Sequence, residues 1–330
     1  MKHLKIPVKN NKYKKINKIM KGGIKINNII KTNKNYTYEI LKNDLLFLNY
    51  EYELFKINYV GKTTLGEKIA YIKLGTGNKK LFINASHHAN EWMTSLITMM
   101  FIERYLKLYK NKENYKGRNI NDLWNRTSIY IVPMVNPDGV NLCLKDKKVL
   151  NDDRYKEVWK KYVNNLDSWK ANIRGVDINL NYPAGWKQAV KNKKKKGIIS
   201  PGPRDYPGPN AVSEIETKNM INFTKIFNFD MTISLHSQGE EIYWNYLNKK
   251  IDRAYEIGNK MEKVSGYKLT EPSFYSSFAG YKDWFIQEYN KPGYTIEIGK
   301  GEEGKSLPLN MAEKIYNDIE EIFLVAIEEC

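Results

Sequence analysis

The chain has 330 residues, of which 42% are hydrophobic and 28% charged, as is ordinary for a globular protein. No apolar run approaches the roughly 18 residues that a membrane span needs, so we expect no membrane-spanning helix. The formal net charge of +17 would attract anionic partners such as nucleic acid, membrane or wall polymer. Because lysines are spread along the whole chain, the charge indicates a compositional bias and no specific nucleic-acid site.

Residues 1–35 contain many lysines and asparagines and show little apolar periodicity. We therefore predict a basic N-terminal extension, followed by one domain over residues 36–330. The first residues lack the apolar core of a signal peptide, which does not support classical secretion. Cys143 and Cys330 are the only cysteines, and a pair so far apart provides no disulfide framework. A reducing compartment fits this cysteine usage.

The first predicted elements are three strands. Residues 50–57 and 68–74 alternate between apolar and polar side chains, and Gly61 and Gly66 supply turn residues between them. We predict that these two segments form a β-hairpin. A short apolar strand over residues 81–86 follows the hairpin.

The middle of the chain predicts a strand, helix, strand unit. Residues 92–106 carry apolar side chains at helical spacing, and residues 128–135 form a nearly continuous apolar strand. The sequence Asn-Pro-Asp-Gly at residues 136–139 predicts a turn after that strand. The lysine run at residues 193–196 lies between glycine and proline residues and predicts a solvated loop tip.

Helical and strand-like patterns alternate in the rest of the chain. Helices are predicted over residues 213–227, 253–264, 282–289 and 311–327, and strands over residues 231–235 and 293–298. This order predicts an α/β fold with a mixed, largely parallel central sheet flanked by helices. Ligands of such sheets emerge outside the carboxyl ends of the strands.

A histidine and a glutamate three residues apart, His88 and Glu91, stand directly after a predicted strand. Zn²⁺ binds imidazole nitrogen and carboxylate oxygen, and a catalytic zinc needs three protein ligands with water in the fourth position. The chain has only four histidines, so few residues can complete such a set. His236 ends another β-type run and is a candidate third ligand. His87 is a rival to His88, because His87 and Glu91 are four residues apart and could meet on a helical turn.

Glu297 is a carboxylate within an apolar strand, where an unpaired charge would be unfavourable. Besides three ligands, zinc-dependent hydrolysis needs a carboxylate base for the bound water. It also needs a cation or hydrogen-bond donors for the developing oxyanion. Glu297 is therefore a candidate for the base.

The order of these motifs resembles that of the zinc carboxypeptidase-like metallopeptidases. The motifs are residues 88–92, residues 136–139, residues 175–181, His236 with Ser237, Tyr275 ahead of Asp283 and Trp284, and Glu297. The resemblance implies that His88, Glu91 and His236 bind one zinc ion per chain. It implies that Glu297 takes a proton from the zinc-bound water, and that Tyr275 donates a hydrogen bond to the substrate's backbone.

Three positions depart from the carboxypeptidase pattern. The Asn-Arg pair that grips a free C-terminal carboxylate reads Asn179 and Leu180 here, so the arginine fork is missing. Asn90 replaces the arginine within the His-x-x-Glu motif. The oxyanion arginine is replaced by Lys170, which keeps the charge without the planar fork. Arg174 is the other candidate for that cation, and the sequence does not choose between the two.

These departures, taken together, look like one branch of the family, the bacterial γ-D-glutamyl-meso-diaminopimelate peptidases, which cut cell-wall peptides. Asn179 and Asn90 are then candidate substrate-binding residues. Lys282 is another, because it falls where carboxypeptidases place the base of the side-chain specificity pocket. A cation at that point suits the second carboxylate of meso-diaminopimelate.

The expected function is hydrolysis of γ-D-glutamyl-meso-diaminopimelate bonds in peptidoglycan-derived peptides. A metallocarboxypeptidase that prefers acidic or unusual C-terminal residues is the alternative. A basic binding module with an inactive site is a third hypothesis, and the complete set of ligands and base argues against it. Because neither a signal peptide nor lysin-motif-like repeats are found, we expect a cytoplasmic or spore-associated protein.

Overall fold

The computed structural model describes residues 28–330, so most of the predicted N-terminal extension lies outside the described residues. The last part of the predicted extension packs onto the body of the chain. The backbone N–H groups of Ile29 and Ile30 donate to the Glu103 carboxylate at 2.6 and 2.9 Å. Ile30 is also buried. The position of the boundary between extension and domain stays a prediction.

The helices, in chain order, are α1 (Tyr38–Tyr52), α2 (Met93–Lys110), α3 (Ile120–Arg126), α4 (Pro137–Cys143), α5 (Lys147–Leu150), α6 (Lys156–Trp159), α7 (Trp186–Lys195), α8 (Ile215–Phe227), α9 (Ala254–Ser265), α10 (Tyr281–Tyr289) and α11 (Ala312–Glu329). The strands are β1 (Asn58–Lys62), β2 (Lys68–Leu74), β3 (Lys79–Ala85), β4 (Asn114–Tyr115), β5 (Arg118–Asn119), β6 (Thr127–Val132), β7 (Met231–His236), β8 (Glu241–Tyr243), β9 (Lys268–Thr270) and β10 (Gly293–Glu297).

The main sheet has eight strands in the order β1-β2-β6-β3-β7-β10-β8-β9. Its four central strands, β6, β3, β7 and β10, run parallel to one another. Antiparallel pairing of β2 with β6 and of β8 with β10 flanks this core. The prediction of a mixed, largely parallel sheet flanked by helices is therefore confirmed.

Apolar layers cover both faces of the sheet. Because successive side chains of a strand point to opposite faces, Leu81 and Ile83 join one layer and Phe82 joins the other. The first layer contains the buried faces of α1, α2 and α11, and the second those of α8 and α10. Within residues 28–330, no helix combines the length and the apolar character that crossing a bilayer requires.

The predicted strand over residues 50–57 is wrong, because α1 occupies the first part of that segment. Thr37 caps the helix, its hydroxyl accepting from the N–H of Ile40 at 3.3 Å. Buried leucines follow at helical spacing from Leu41, and Glu53, with φ of 53°, ends the helix. The alternation of residues 50–57 spans a helix end and a linker, and the strand that pairs with β2 is β1.

The predicted turn at residues 136–139 is the start of α4. The Asn136 side chain accepts a hydrogen bond from the N–H of Gly139 at 3.0 Å and so caps the helix. Pro137 occupies the first helical position, where its missing N–H costs nothing. Asn136 also donates to the carbonyl oxygen of His87 at 3.0 Å, which ties the end of β6 to the segment that follows β3.

Candidate zinc centre

Three neighbouring parallel strands deliver the predicted metal and base residues to one place. His88 lies three residues beyond the end of β3, and His236 and Glu297 are the last residues of β7 and β10. His236 and Glu297 face each other in the strand register. All of them line one cavity of about 480 Å³ at the carboxyl ends of the strands. The cavity lies where ligands of parallel sheets are expected.

His88, Glu91 and His236 converge on a single point. Nδ1 of His88 is 2.8 Å from Oε1 of Glu91, and Nδ1 of His236 is 2.9 Å from Oε2 of Glu91. The two Nδ1 atoms are 3.1 Å apart. All three residues are buried, and their ligand atoms lie within 4.8 Å of one another. Two imidazole nitrogens and one carboxylate are the donor set of a catalytic zinc, so the triad is positioned to bind a metal.

Glu91 is fixed by its backbone as well as by the histidines. The hydroxyls of Ser86 and Thr94 donate to the carbonyl oxygen of Glu91 at 3.1 and 2.7 Å. Burial would raise the pKa of Glu91, but the two histidines hold it well below its ordinary value. The carboxylate is therefore ionised and preorganised as a ligand.

Asp177 orients His88 and was missed by sequence reasoning. Its Oδ1 lies 3.1 Å from Nε2 of His88 and is buried. Burial opposes the charge of Asp177, yet His88 and Lys170 hold its pKa well below the ordinary value. A carboxylate on one ring nitrogen fixes the tautomer that leaves the other nitrogen free for a metal. Asp177 is part of the motif at residues 175–181 that the sequence singled out, where it stands two residues after Gly175.

His87 lies outside the triad, although its ring stacks beside that of His236 with the centroids 5.7 Å apart. Its Nε2 lies 2.9 Å from the hydroxyl oxygen of Tyr182, and its Nδ1 has no hydrogen-bond partner in the described part of the chain. Burial, together with His236 and His88, lowers the pKa of His87 well below its ordinary value. A neutral buried ring bonded to a tyrosine is a packing element, and the metal-binding cluster contains His88 instead.

Glu297 stands beside the triad without belonging to it. Burial, and next the charge of Glu91, raise the pKa of Glu297 to about 8. A cation held by the triad would favour the ionised form and bring this pKa down. A carboxylate with a raised pKa in a cavity is suited to accept a proton near neutral pH.

The structure separates the two candidate oxyanion cations. Lys170 is half-buried and lines the cavity. Burial lowers the pKa of Lys170, but the carboxylates of Asp177 and Glu91 raise it more, so this lysine stays charged. Arg174 is not among the described residues that line the cavity, and its Nε lies 3.6 Å from the buried carboxylate of Glu214.

The predicted substrate-binding residues differ in how they meet the cavity. Asn179 lines it, and its Oδ1 accepts from the N–H of Tyr281 at 3.0 Å. Asn90 lines it too, and its buried Oδ1 has no hydrogen-bond partner within residues 28–330. Tyr275 is not among the described residues that line the cavity; it is 54% exposed on the turn Phe274–Ser276, whose Ser276 does line it. Its contact with substrate stays a prediction.

Lys282 is buried at the start of α10 and faces the cavity rather than the solvent. Its Nζ donates to the carbonyl oxygen of Asn245 at 2.5 Å and lies 2.8 Å from Oδ1 of Asp283. Leu180, at the position of the missing arginine, also lines the cavity. An apolar side chain thus stands where the resemblance would place a carboxylate-binding fork.

Lys193 lies in another charged wall of the cavity and contradicts the predicted solvated loop tip at residues 193–196. Lys193 belongs to α7, is 8% exposed and lies 2.6 Å from Oδ1 of Asp205. The predicted solvated loop tip is therefore wrong at this lysine, because Asp205 compensates a buried charge that the run itself leaves unpaired. Arg204 lines the cavity beside them.

A largely parallel sheet whose strand ends carry a His-Glu-His triad, with a free glutamate beside it, defines the class of zinc metallopeptidases. The zinc carboxypeptidase family model matches residues 50–322, and the chain belongs to that family of zinc peptidases.

Proteins similar to this chain include an endopeptidase that is 35% identical and solved structures that share the fold. The chain is 35% identical over 300 residues to gamma-D-glutamyl-L-diamino acid endopeptidase 1 of Lysinibacillus sphaericus, covering 91% of this chain and 74% of the relative. Bovine thrombin-activatable fibrinolysis inhibitor matches the fold with a TM-score of 0.68 at 17% identity, over 90% of this chain and 98% of that one. The murein-tripeptide amidase MpaA of Escherichia coli O157 matches with a TM-score of 0.52 at 16% identity, over 82% and 91%.

Proposed function

We propose that this chain hydrolyses the bond between a γ-linked D-glutamyl residue and meso-diaminopimelate in peptidoglycan-derived peptides. The observation that carries the proposal is the combination of a zinc triad with Leu180, which removes the usual grip on a C-terminal α-carboxylate. The 35% identity to an endopeptidase acting on gamma-D-glutamyl-L-diamino acids supports it.

The catalytic roles follow from the side chains around the triad. Nδ1 of His88, the Glu91 carboxylate and Nδ1 of His236 would hold the ion. When bound, zinc supplies Lewis-acid polarisation of the scissile carbonyl and acidifies a water molecule. Glu297 accepts a proton from the attacking water at its carboxylate and passes it to the departing amine. Lys170 stabilises the negative charge that develops on the carbonyl oxygen.

Lys282 and Asp283 suit the far end of meso-diaminopimelate, which carries both an ammonium and a carboxylate group. An ammonium has three N–H donors, of which Lys282 uses one on the Asn245 carbonyl; its Nζ lies 2.8 Å from Oδ1 of Asp283, which accepts no hydrogen bond within residues 28–330. Donors of Lys282 are therefore left for a carboxylate of the substrate. Asp283 can receive the substrate's ammonium, so the buried pair complements the zwitterion.

Lys170→Met is expected to lower kcat about 10²- to 10³-fold, because it removes the donor aimed at the developing oxyanion. Zinc content should stay at the wild-type level, since the triad is untouched. Arg174→Met is the matched control, because Arg174 is 42% exposed and pairs with Glu214 instead. Steady-state kinetics and metal analysis of both variants check this. A large loss in the Arg174 variant and none in the Lys170 variant would reverse the assignment.

Digests of defined peptides test the function as a whole. The zinc-loaded protein is expected to cleave L-alanyl-γ-D-glutamyl-meso-diaminopimelate at the γ-glutamyl bond, as read by mass spectrometry. A matched peptide with L-lysine at the third position lacks the distal carboxylate and should be cleaved about tenfold to hundredfold less efficiently. Release only of standard C-terminal amino acids from plain peptides would favour a metallocarboxypeptidase. Hydrolysis of neither would favour a binding module.

The cellular place of this reaction is part of the proposal. We place it in the cytoplasm or the spore, where released wall peptides would be processed. The two free thiols support a reducing compartment. Burial raises the pKa of Cys143 to about 12, so this thiol is unreactive. Fractionation that finds the protein only in the culture medium would contradict the placement.

A further inference from the structure

One wall of the cavity carries charges that the hydrolysis described above does not use. These are Lys193, Arg204 and Asp205. Oδ1 of Asp205 lies 2.6 Å from Nζ of Lys193, and its Oδ2 lies 3.5 Å from Nε of Arg204. One carboxylate between two cations leaves an excess positive charge on this wall. The Lys193 side chain is buried, whereas the Arg204 side chain is 42% exposed. The excess positive charge is therefore accessible to a ligand at Arg204.

The guanidinium of Arg204 is held at the mouth of the cavity by its neighbours. A Cβ added at Gly304 would lie 2.8 Å from Nη1 of Arg204, so the guanidinium packs closely against this loop. Gly304 also accepts a long hydrogen bond, 3.5 Å, from the Nδ2 of Asn90. The fork of Arg204 and the unpartnered Oδ1 of Asn90 therefore flank the same loop.

The segment that carries Arg204 runs directly beside the catalytic residues. The N–H of Lys170 donates to the carbonyl oxygen of Pro203 at 2.8 Å, and the N–H of Asp177 donates to that of Tyr206 at 2.8 Å. Arg204 therefore directly follows Pro203, whose carbonyl oxygen holds the backbone of Lys170 in place. Lys282 belongs to a different wall, which α10 forms.

The substrate's chemistry matches this placement. A γ-linked glutamyl residue forms the scissile bond through its side-chain carboxyl and keeps its α-carboxylate free, whereas an α-linked glutamyl residue has its free carboxylate at the end of the side chain instead. Lys282 is assigned to meso-diaminopimelate, the residue after the scissile bond. The wall beside Lys170 then remains for the glutamyl residue before that bond. Arginine binds carboxylates with two parallel N–H groups, which favours it for such recognition.

We propose that Arg204, paired with Asp205, binds the free α-carboxylate of the γ-linked glutamyl residue and selects γ-linked over α-linked peptides. This assignment rests on the proposed function. It makes Arg204 a specificity-determining residue on the side of the acyl group, distinct from the subsite at Lys282.

A comparison of two substrates with two enzymes tests the assignment. The substrates are the γ-D-glutamyl-meso-diaminopimelate peptide and its D-isoglutamine analogue, whose α-carboxylate is a carboxamide. The zinc-loaded wild type is expected to prefer the carboxylate peptide about tenfold to hundredfold in kcat/KM. Arg204→Gln should lose that preference because its kcat/KM falls on the carboxylate peptide alone, mainly through a higher KM. Arg204→Lys keeps the charge without the fork, and its preference should lie between those of the wild type and Arg204→Gln.

Lys305→Gln is the matched control for long-range charge. Lys305 also stands at the cavity mouth but is 49% exposed and paired with Glu302 at 2.7 Å. This variant should keep the wild-type preference, and thermal melting should show that all variants fold. Equal losses on both substrates in Arg204→Gln, or no preference in the wild type, would overturn the assignment and leave the proposed function intact. Failure of the wild type on both peptides would refute the proposed function and the assignment with it.

Discussion

Glu297→Gln is expected to lower kcat about 10²- to 10⁴-fold, the usual contribution of a general base. Glutamine has the size of glutamate but cannot accept the proton of the attacking water. His88, Glu91 and His236 keep their places in this variant, so zinc content should equal that of the wild type. The measurement is steady-state hydrolysis of the γ-D-glutamyl peptide together with metal analysis of the same sample.

The pH profile gives an independent check. Glu297 must be ionised to act as a base, so activity falls as pH drops through its pKa. Burial raises that pKa to about 8 in the protein without an ion, and a bound cation shifts it downward. The acid limb of kcat/KM should therefore lie below pH 8 in the wild type and be absent from the residual activity of the glutamine variant.

Glu241→Gln is the matched control for this substitution. Glu241 faces Glu297 in the register of β8 and β10, but its carboxylate accepts from the Tyr243 hydroxyl at 2.6 Å. It is not among the described residues that line the cavity. Its replacement should leave most of the activity. Unchanged activity in Glu297→Gln would show that another group takes the proton of the water and would contradict the role of Glu297 as the base.

The sequence predicted the sheet and the triad because both depend on local signals. The central strands are continuous apolar runs, and the metal and base residues stand at or just after their ends, where parallel topology brings them together. The error over residues 50–57 has a local cause too. Alternation of apolar and polar residues over a few positions does not distinguish a strand from a helix end. The helical spacing of the buried leucines before residue 50 indicates the helix.

The charged walls of the cavity could not be predicted in the same way. Lys193, Arg204 and Asp205 come from a helix and a loop that meet only in the folded chain, and a lysine run carries no sign of which lysine is buried. The choice between Lys170 and Arg174 was open for the same reason. The sequence does not show that Arg174 pairs with the carboxylate of Glu214, which lies 40 residues further along the chain.

His88→Gln is expected to lose the zinc and, with it, essentially all hydrolysis. The substitution removes one of three protein ligands. It also removes the imidazole partner of the buried Asp177 carboxylate. Zinc should then no longer raise the melting temperature, whereas for the wild type an ion at 100 times its Kd stabilises by about 2.7 kcal/mol. Metal analysis after dialysis and melting with and without zinc measure the two effects.

His87→Gln is the control that makes this result specific, because the adjacent histidine was the rival ligand. It should keep one zinc per chain, since His87 lies outside the metal-binding cluster. It should nevertheless be less stable by about 1–3 kcal/mol, because the Tyr182 hydroxyl loses its buried partner. Each histidine thus has its own signature, metal loss for His88 and stability loss for His87. Retention of zinc in His88→Gln together with its loss in His87→Gln would assign the ligand to His87 instead.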